Sequence, residues 1–276
     1  MSFPPVTFRF LPMLRCAMLF AIGAAAILFA SPRNGPQQTI LLSSRRIMLD
    51  DSSRSGEVLL VNPSDKPVSY KVTLIEMQMD ESGKLARLPV GTTSERSLKP
   101  LLKFAPQQVT VGAHGAQKIR VAVGPNKLQA GEYRTHLQVA VVPSGVESTD
   151  PDPSRISIRF RVVPAISIPV LFRAGNPTAS ATLANGSVIG NQLHVELCRT
   201  GERSIRGDLA VYVESNEKRR EQVGLVRDLT VYYPNSVRKV VVPLKPIAKA
   251  TNLRVEFSET RVKNPAKAGL LVRRKE

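Results

Sequence analysis

From residue 37 onward, apolar and polar residues alternate along the chain with a period of two. Successive side chains of a β-strand point to opposite faces, so each such segment has one apolar face. Clear examples are Tyr70, Val72 and Leu74; Ile119, Val121 and Val123; Leu137, Val139 and Val141; and Leu253, Val255 and Phe257. Because no long segment has an apolar stripe with helical spacing, the sequence predicts an all-β fold.

Turn-forming residues separate these runs and divide the chain into short strands. They include Asn62-Pro63, Gly124-Pro125 and Asn185-Gly186. About seven short strands in each half, joined by turns, are typical of an immunoglobulin-like β-sandwich. A strand-like run through residues 166–172 is broken by Gly175, Asn176 and Pro177. We therefore predict one sandwich domain at 37–170 and a second at 174–276.

The N-terminal residues have the order of an export signal. Positive charge at Arg9 and Arg15 precedes an apolar run at 16–29, and the small residues Ala30 and Ser31 follow. The run is shorter than the roughly 20 residues that span a bilayer. We predict a signal peptide at 1–30, a periplasmic mature chain and no stable membrane insertion after cleavage. An uncleaved N-terminal anchor is the alternative.

The formal net charge of +17 favours acidic partners, among them nucleic acid, lipopolysaccharide or an acidic protein. Proteins that bind nucleic acid usually cluster their cations on one face and add stacking aromatic residues. Here the cations are spread along most strands, there is no tryptophan, and aromatic residues make up 5%. Together with the export signal, this pattern predicts a protein partner and no nucleic acid.

No motif points to catalysis, so we predict a protein that is not an enzyme and that uses no cofactor or metal. His114, His136 and His194 lie in separate segments without the spacing of zinc ligands. His136 and His194 occupy polar positions of their strands, where solvent exposure is expected. Nucleophile-elbow, phosphate-loop and CxxC motifs are absent from the sequence.

Several local patterns, in their order and spacing, resemble the PapD-like periplasmic pilus (fimbrial) assembly chaperone family. Arg46 precedes Asn62 by sixteen residues, and a Phe104-Ala105-Pro106 stretch follows. Segments 131–137 (GEYRTHL) and 168–173 (IPVLFR) are similar to two further family motifs. The resemblance covers nearly all of the first predicted domain and is thin in the second.

The resemblance implies two immunoglobulin-like sandwiches in an L or boomerang arrangement. It also implies a chaperone that binds pilus or fimbrial subunits lacking their last strand. Such a chaperone lends one of its own strands to the subunit, which is called donor-strand complementation. It then delivers the subunit to an outer-membrane usher.

The expected donor strand lies at 155–163. It presents Ile156, Ile158, Phe160 and Val162 on one face. An edge strand can offer such a face to the groove of another chain, with main-chain hydrogen bonds giving affinity and side chains fixing the register. The alternative is that these four residues belong to the core of this protein.

Arg46 matches an arginine that, in the family, binds the carboxylate at the C-terminus of the subunit. Pro169 stands at the position of the lysine that accompanies it in the family. Another cation, such as Arg45, could substitute, the carboxylate could be held differently, or the chain could be a divergent relative that no longer binds pilus subunits. Charge-assisted hydrogen bonds at one chain end would fix the strand register. The alternative for Arg46 is a solvated strand arginine.

Glu132 and Arg173 match a pair that bridges the two domains in the family; two unrelated surface charges are the alternative. A second function is also open, namely an exported structural or adhesive sandwich protein of a surface assembly. The number of strands in each sandwich discriminates between the two functions, because a pilin-like subunit has an incomplete sandwich.

Overall fold

A computed structural model describes residues 40–143, 162–214, 220–246, 252–262 and 264–273. Every regular element in these ranges is a strand, which confirms the all-β prediction. The strands are β1 (Leu41–Leu42), β2 (Ile47–Asp50), β3 (Ser55–Val61), β4 (Val68–Ile75), β5 (Met77–Met79), β6 (Leu85–Arg87), β7 (Leu102–Ala105), β8 (Gln108–Val111), β9 (Ala116–Val123), β10 (Gly131–Val141), β11 (Ala165–Ala174), β12 (Ala179–Ile189), β13 (Gln192–Gly201), β14 (Ile205–Glu214), β15 (Arg220–Val231), β16 (Val237–Pro243), β17 (Asn252–Glu259) and β18 (Lys267–Arg273).

Strands β1 to β11 build a first two-layer sandwich, with β5 and β6 as a separate hairpin. One sheet has the order β1-β3-β9-β7 and the other the order β2-β11-β10-β4-β8. The alternating apolar residues fill the space between the sheets: Ile119, Leu137, Val170 and Phe172 are fully buried. The period of two in the sequence therefore sets which face of each strand meets the core.

The N-terminal segment of this sandwich crosses from one sheet to the other, and its two parts are β1 and β2. β1 pairs antiparallel with β3 in one sheet, whereas β2 pairs parallel with β11 in the other. The crossing takes place at residues 43–46, which include Arg46. This crossing fixes Arg46 at the beginning of β2, beside β11.

Strands β12 to β18 build a second sandwich around its own core. Its sheets have the orders β12-β13-β16 and β15-β14-β17-β18. Leu193, Leu209, Val231 and Val255 are fully buried between them. Both sandwiches lie within one compact unit, Gln38–Glu276.

The domain limits 37–170 and 174–276 stay predictions, although β11 itself runs on to Ala174. The predicted signal peptide lies outside the described residues. The part of the chain that the structure describes contains no helix of the length and hydropathy that a membrane crossing requires.

Candidate functional site

Strand β11 is paired along its whole length on one edge, but along only part of its length on the other edge. On one side β10 pairs with it from Ala165 to Ala174. On the other side β2 pairs with it only from Val170 to Arg173. Among the described residues, no strand pairs with 165–169 on that second side. We call this stretch the open edge.

The hydrogen bonding to β10 determines which backbone groups face the open edge. The amide of Val141 donates to the carbonyl of Pro164 at 3.1 Å. Since bonded residues alternate along an antiparallel pair, the even-numbered residues of β11 bond to β10. Ala165 and Ser167 therefore direct their N–H and C=O groups outward. Pro169 also faces outward, and it has no N–H to donate.

The apolar row on the core-facing side of β11 continues past the end of its own core. Val170 is fully buried and Ile168 is 3% exposed, but Ile166 is 37% exposed and Val162 is 89% exposed. An exposed apolar row beside unpaired backbone groups is what a second chain needs in order to add a strand. Of the predicted donor residues, Ile156, Ile158 and Phe160 lie outside the described residues.

Arg46 lies where the open edge ends. Extending the parallel register of Ile47 with Val170 by one residue sets Arg46 opposite Pro169. The Arg46 guanidinium interacts with the phenol of Tyr232, which belongs to the second sandwich. Burial, and then the nearby charge of Arg206, lower the pKa of Arg46. Arg46 is thus half-buried between the two sandwiches, and not a freely solvated arginine.

Tyr232 follows β15 directly and inserts between the sandwiches. It packs with Met79 and Leu171 in a small apolar cluster of its own. The guanidinium of Arg134 lies 4.2 Å from the centre of its ring, in a cation–π contact. The ring of His136 meets it edge-on at 6.3 Å.

His136 is 1% exposed, so the expectation that it is exposed to solvent is wrong. It does lie on the face of β10 that points away from the first core, but the second sandwich covers that face. Neither ring nitrogen has a hydrogen-bond partner among the described residues. Burial, with the charge of Arg134, lowers the pKa of His136 to about 3, so its ring is neutral at neutral pH.

Glu132 and Arg173 lie on neighbouring strands and form an ion pair. Arg173 Nε lies 3.0 Å from Glu132 Oε2. The other oxygen of Glu132 accepts a hydrogen bond from the amide of Ser204 at 3.1 Å and another from its hydroxyl. Ser204 directly precedes β14 of the second sandwich, so one nearly inaccessible carboxylate bonds to both sandwiches at the seam between them.

Sequence reasoning missed Tyr232, Ser204, Arg206 and Asp228. All four lie in the second half of the chain, where the resemblance is thin. The sequence did contain one indication of the role of Tyr232. Because it directly follows the core residue Val231, its side chain is expected on the outer face of the sandwich, where a large aromatic residue suggests a contact. The described residues contain no group of three or more His, Cys, Asp and Glu side chains that could hold a metal ion.

Two immunoglobulin-like sandwiches, with an open strand edge near their seam, define the structural class of this chain. No family model and no curated protein matches the sequence. The solved structures that it is similar to include many fimbrial and pilus chaperones.

One similar structure is the chaperone DraB of E. coli, at 12% identity and a TM-score of 0.43, with 86% of this chain and 97% of DraB covered. The class 5 fimbriae chaperone CfaA is also 12% identical, with a TM-score of 0.47 and coverage of 86% and 100%. A third is the CsuC–CsuE chaperone–tip subunit complex of Acinetobacter baumannii, at 14% identity, a TM-score of 0.45 and coverage of 83% and 98%. Because these TM-scores lie below 0.5, the function of this chain has to be argued from its own residues at the open edge and around Arg46.

Proposed function

We propose that this chain is a periplasmic chaperone that binds pilus or fimbrial subunits by strand addition at the open edge. The observation that carries the proposal is the half-used side of β11, where 165–169 lacks a described partner beside an exposed apolar row. A long, apolar, unpaired edge is normally blocked or covered in a soluble protein. Its exposure beside the half-buried Arg46 favours a docking function.

The direction of the bound strand follows from the position of Arg46. A client strand that pairs with 165–169 and ends at Arg46 must run in the same direction as β11. It would therefore occupy the line of β2 in the sheet and stop where β2 begins. The outward N–H and C=O groups of Ser167 and Ala165 would bond to it, and Val162 and Ile166 would fill its open groove.

Arg46 is the proposed anchor for the C-terminal carboxylate of the client. A guanidinium that is half-withdrawn from water forms stronger charge-assisted hydrogen bonds than a fully solvated one. Fixing the end of the chain also prevents a slip of one residue, which would turn the apolar side chains of the client to the wrong face. The proposed donors Ile156, Ile158 and Phe160 would extend the same contact.

The seam residues Glu132 and Arg173 are proposed to hold the cleft in shape. The Glu132 carboxylate is bonded on both sides, to Arg173 and to Ser204. Two sandwiches linked in this way keep Arg46 and Tyr232 at a constant separation. Delivery of the client to an outer-membrane usher belongs to the same proposal and rests on the family resemblance.

The structural or adhesive alternative would require a sandwich that lacks a strand of its own. In the first sandwich β11 is present, and its residues Ile168, Val170 and Phe172 are at most 3% exposed. A sandwich that already contains its last strand has no groove to be filled by another chain. This observation favours a protein that donates a strand over one that receives it.

A proline at residue 167 tests the open edge without disturbing β10. Ser167→Pro removes an outward N–H, whereas Ser167→Ala keeps that N–H and loses the same hydroxyl contact to Met77. We expect the wild type and Ser167→Ala to co-purify from periplasm with a small β-rich subunit. Ser167→Pro should fold but purify without the subunit. Equal recovery of the subunit with the proline variant would refute strand addition at this edge.

A further inference from the structure

On the side of the first sandwich, Arg46 lies opposite Pro169, which has no N–H to donate. The second sandwich presents a further arginine to the same place. Arg206 of β14 pairs across the ladder with Thr230 of β15. Thr230 and Tyr232 flank the core residue Val231, so their side chains lie on the opposite, outer face. Because Tyr232 packs against Leu171 of β11, the face that carries Arg206 is the one that meets the first sandwich.

The side chain of Arg206 is paired with Asp228 in an ion pair. Asp228 lies in an irregularity of β15, where the register with β14 shifts between Gly207 and Leu209. Its φ is +63°, in the left-handed region that non-glycine residues rarely adopt. Its amide donates to a carboxylate oxygen of Asp208 at 2.9 Å, which secures this conformation.

Without the register shift, Asp228 would not lie beside Arg206. An irregularity of this kind re-aims a side chain, and such features concentrate near functional sites. The side chain of Asp228 is 42% exposed, whereas that of Arg206 is 16% exposed. Arg206 is therefore fixed at the seam between the sandwiches, and its counter-ion Asp228 lies on the solvent side.

The charges around Asp228 are unequal. The hydrogen bond from Arg206 lowers the pKa of Asp228, and the charges of Arg46 and Arg45 lower it further. Three arginines thus act on the Asp228 carboxylate, while the Asp208 carboxylate lies against its amide. Three positive charges against two negative charges leave one positive charge, so the site can accept a further carboxylate or exchange Asp228 for it.

We propose that Arg206 supplies the second cation of the carboxylate site and that Asp228 is its resident counter-ion, which the C-terminal carboxylate of the client replaces. This inference rests on the proposed strand addition and names the residue that takes the place of the missing lysine. Arg206 and Arg46 approach the carboxylate from different sandwiches, so the bound chain end bridges them.

The exchange of one carboxylate for another explains how partly buried arginines can be accommodated in the folded protein when no client is bound. An unpaired guanidinium that is withdrawn from water is costly, and Asp228 removes that cost in the free protein. When the client arrives, Asp228 turns toward solvent, which its exposed position permits. Competition from Asp228 thereby reduces the affinity for a free carboxylate. A C-terminal carboxylate that is not attached to a strand paired with the open edge binds weakly.

Two peptides of the same sequence test the inference: an eight-residue alternating valine–threonine strand with a free C-terminal carboxylate, and its C-terminal amide. For the wild type we expect the free acid to bind about tenfold more tightly than the amide, as one or two charge-assisted hydrogen bonds would produce. Arg206→Gln should reduce this ratio to about twofold. Asp228→Asn should raise the affinity for the acid several-fold and leave that for the amide unchanged.

The variants are matched to the geometry of the site. Asparagine tolerates the left-handed conformation at 228, so Asp228→Asn removes only the charge. Arg227→Gln is the control, because Arg227 is an exposed neighbour in the same irregularity and is expected to leave the ratio unchanged. A gain in affinity on removing Asp228 cannot arise from a misfolded protein.

The outcomes separate the two proposals. If the wild type binds neither peptide, strand addition fails, and the carboxylate site fails with it. If it binds both equally, or if Arg206→Gln leaves the tenfold ratio intact, strand addition stands and the role of Arg206 is overturned. If Asp228→Asn weakens the binding of the acid, Asp228 is not the competing counter-ion.

Discussion

At the residue scale, the most unusual group is a neutral histidine, His136, which is buried where the two sandwiches meet. His136 has Arg134 on its own strand face and Tyr232 across the seam, and no hydrogen-bond partner for either nitrogen among the described residues. Protonation would add a charge where neither water nor a carboxylate can compensate it. The folded state therefore resists proton uptake at this position.

Stability should consequently fall with pH below the pKa of an unfolded histidine. The folded pKa of about 3 lies below the unfolded value of 6.5, so between these values the unfolded state binds one more proton. The contribution is fully present above pH 6.5 and is lost at up to about 1.4 kcal/mol per pH unit below it. In denaturant titrations from pH 7 to pH 4, His136→Leu should remove this decrease of the free energy of unfolding as the pH falls. The control variant His194→Gln should retain it. An unchanged slope in the leucine variant would show that other groups cause the loss.

His136 also shows what the sequence alone could predict at a single residue. The period of two placed its side chain on the face opposite Leu137 and Val139, and that side is where it lies. The alternation carries no information about what covers an outer face. Burial under Tyr232 depends on a contact between segments almost a hundred positions apart, which no local pattern reports.

At the element scale, β11 is divided into a part that its own sandwich uses and a part that it does not. Its C-terminal half is paired on both sides and closes the core, while its N-terminal half is paired with β10 alone. The sequence predicted a donor strand at 155–163 and a further strand-like run at 166–172. It could not predict where coverage by the protein's own chain stops, because that limit is set by the length of β2.

This division predicts unequal costs for similar truncations along one row. Ile168→Ala should lower the free energy of unfolding by about 2–4 kcal/mol, since it leaves a cavity in the first core. Val162→Ala should change it by less than about 0.5 kcal/mol, because its side chain is already 89% exposed. Urea denaturation of the two variants gives both values. A loss at Val162 equal to that at Ile168 would mean that this residue is enclosed by the protein's own chain.

At the scale of the whole molecule, the seam between the sandwiches is more polar than either core. It contains the Glu132–Arg173–Ser204 contact, the cations around Tyr232 and the Arg206–Asp228 pair, with only a small apolar cluster between them. The sequence predicted the Glu132–Arg173 pair through its resemblance, because both residues lie in segments that are similar to family motifs, 131–137 and 168–173. The residues from the second sandwich could not be assigned, since its strand pattern alone does not say which outer face meets the neighbour.

A seam that depends on one buried carboxylate should be sensitive to its removal. Glu132→Ala leaves Arg173 and the Ser204 amide without their acceptor, and we expect it to lower the free energy of unfolding by about 3 kcal/mol. Glu57→Ala is the matched control: Glu57 lies 2.9 Å from Lys118, but both side chains are about half exposed, so a change below about 1 kcal/mol is expected. Hydrogen exchange should also accelerate at 203–206 in the first variant and not in the second. If both variants lose the same small amount, the Glu132 pair contributes no more than a surface contact, and the separation of Arg46 from Arg206 must be maintained by the packing of Tyr232.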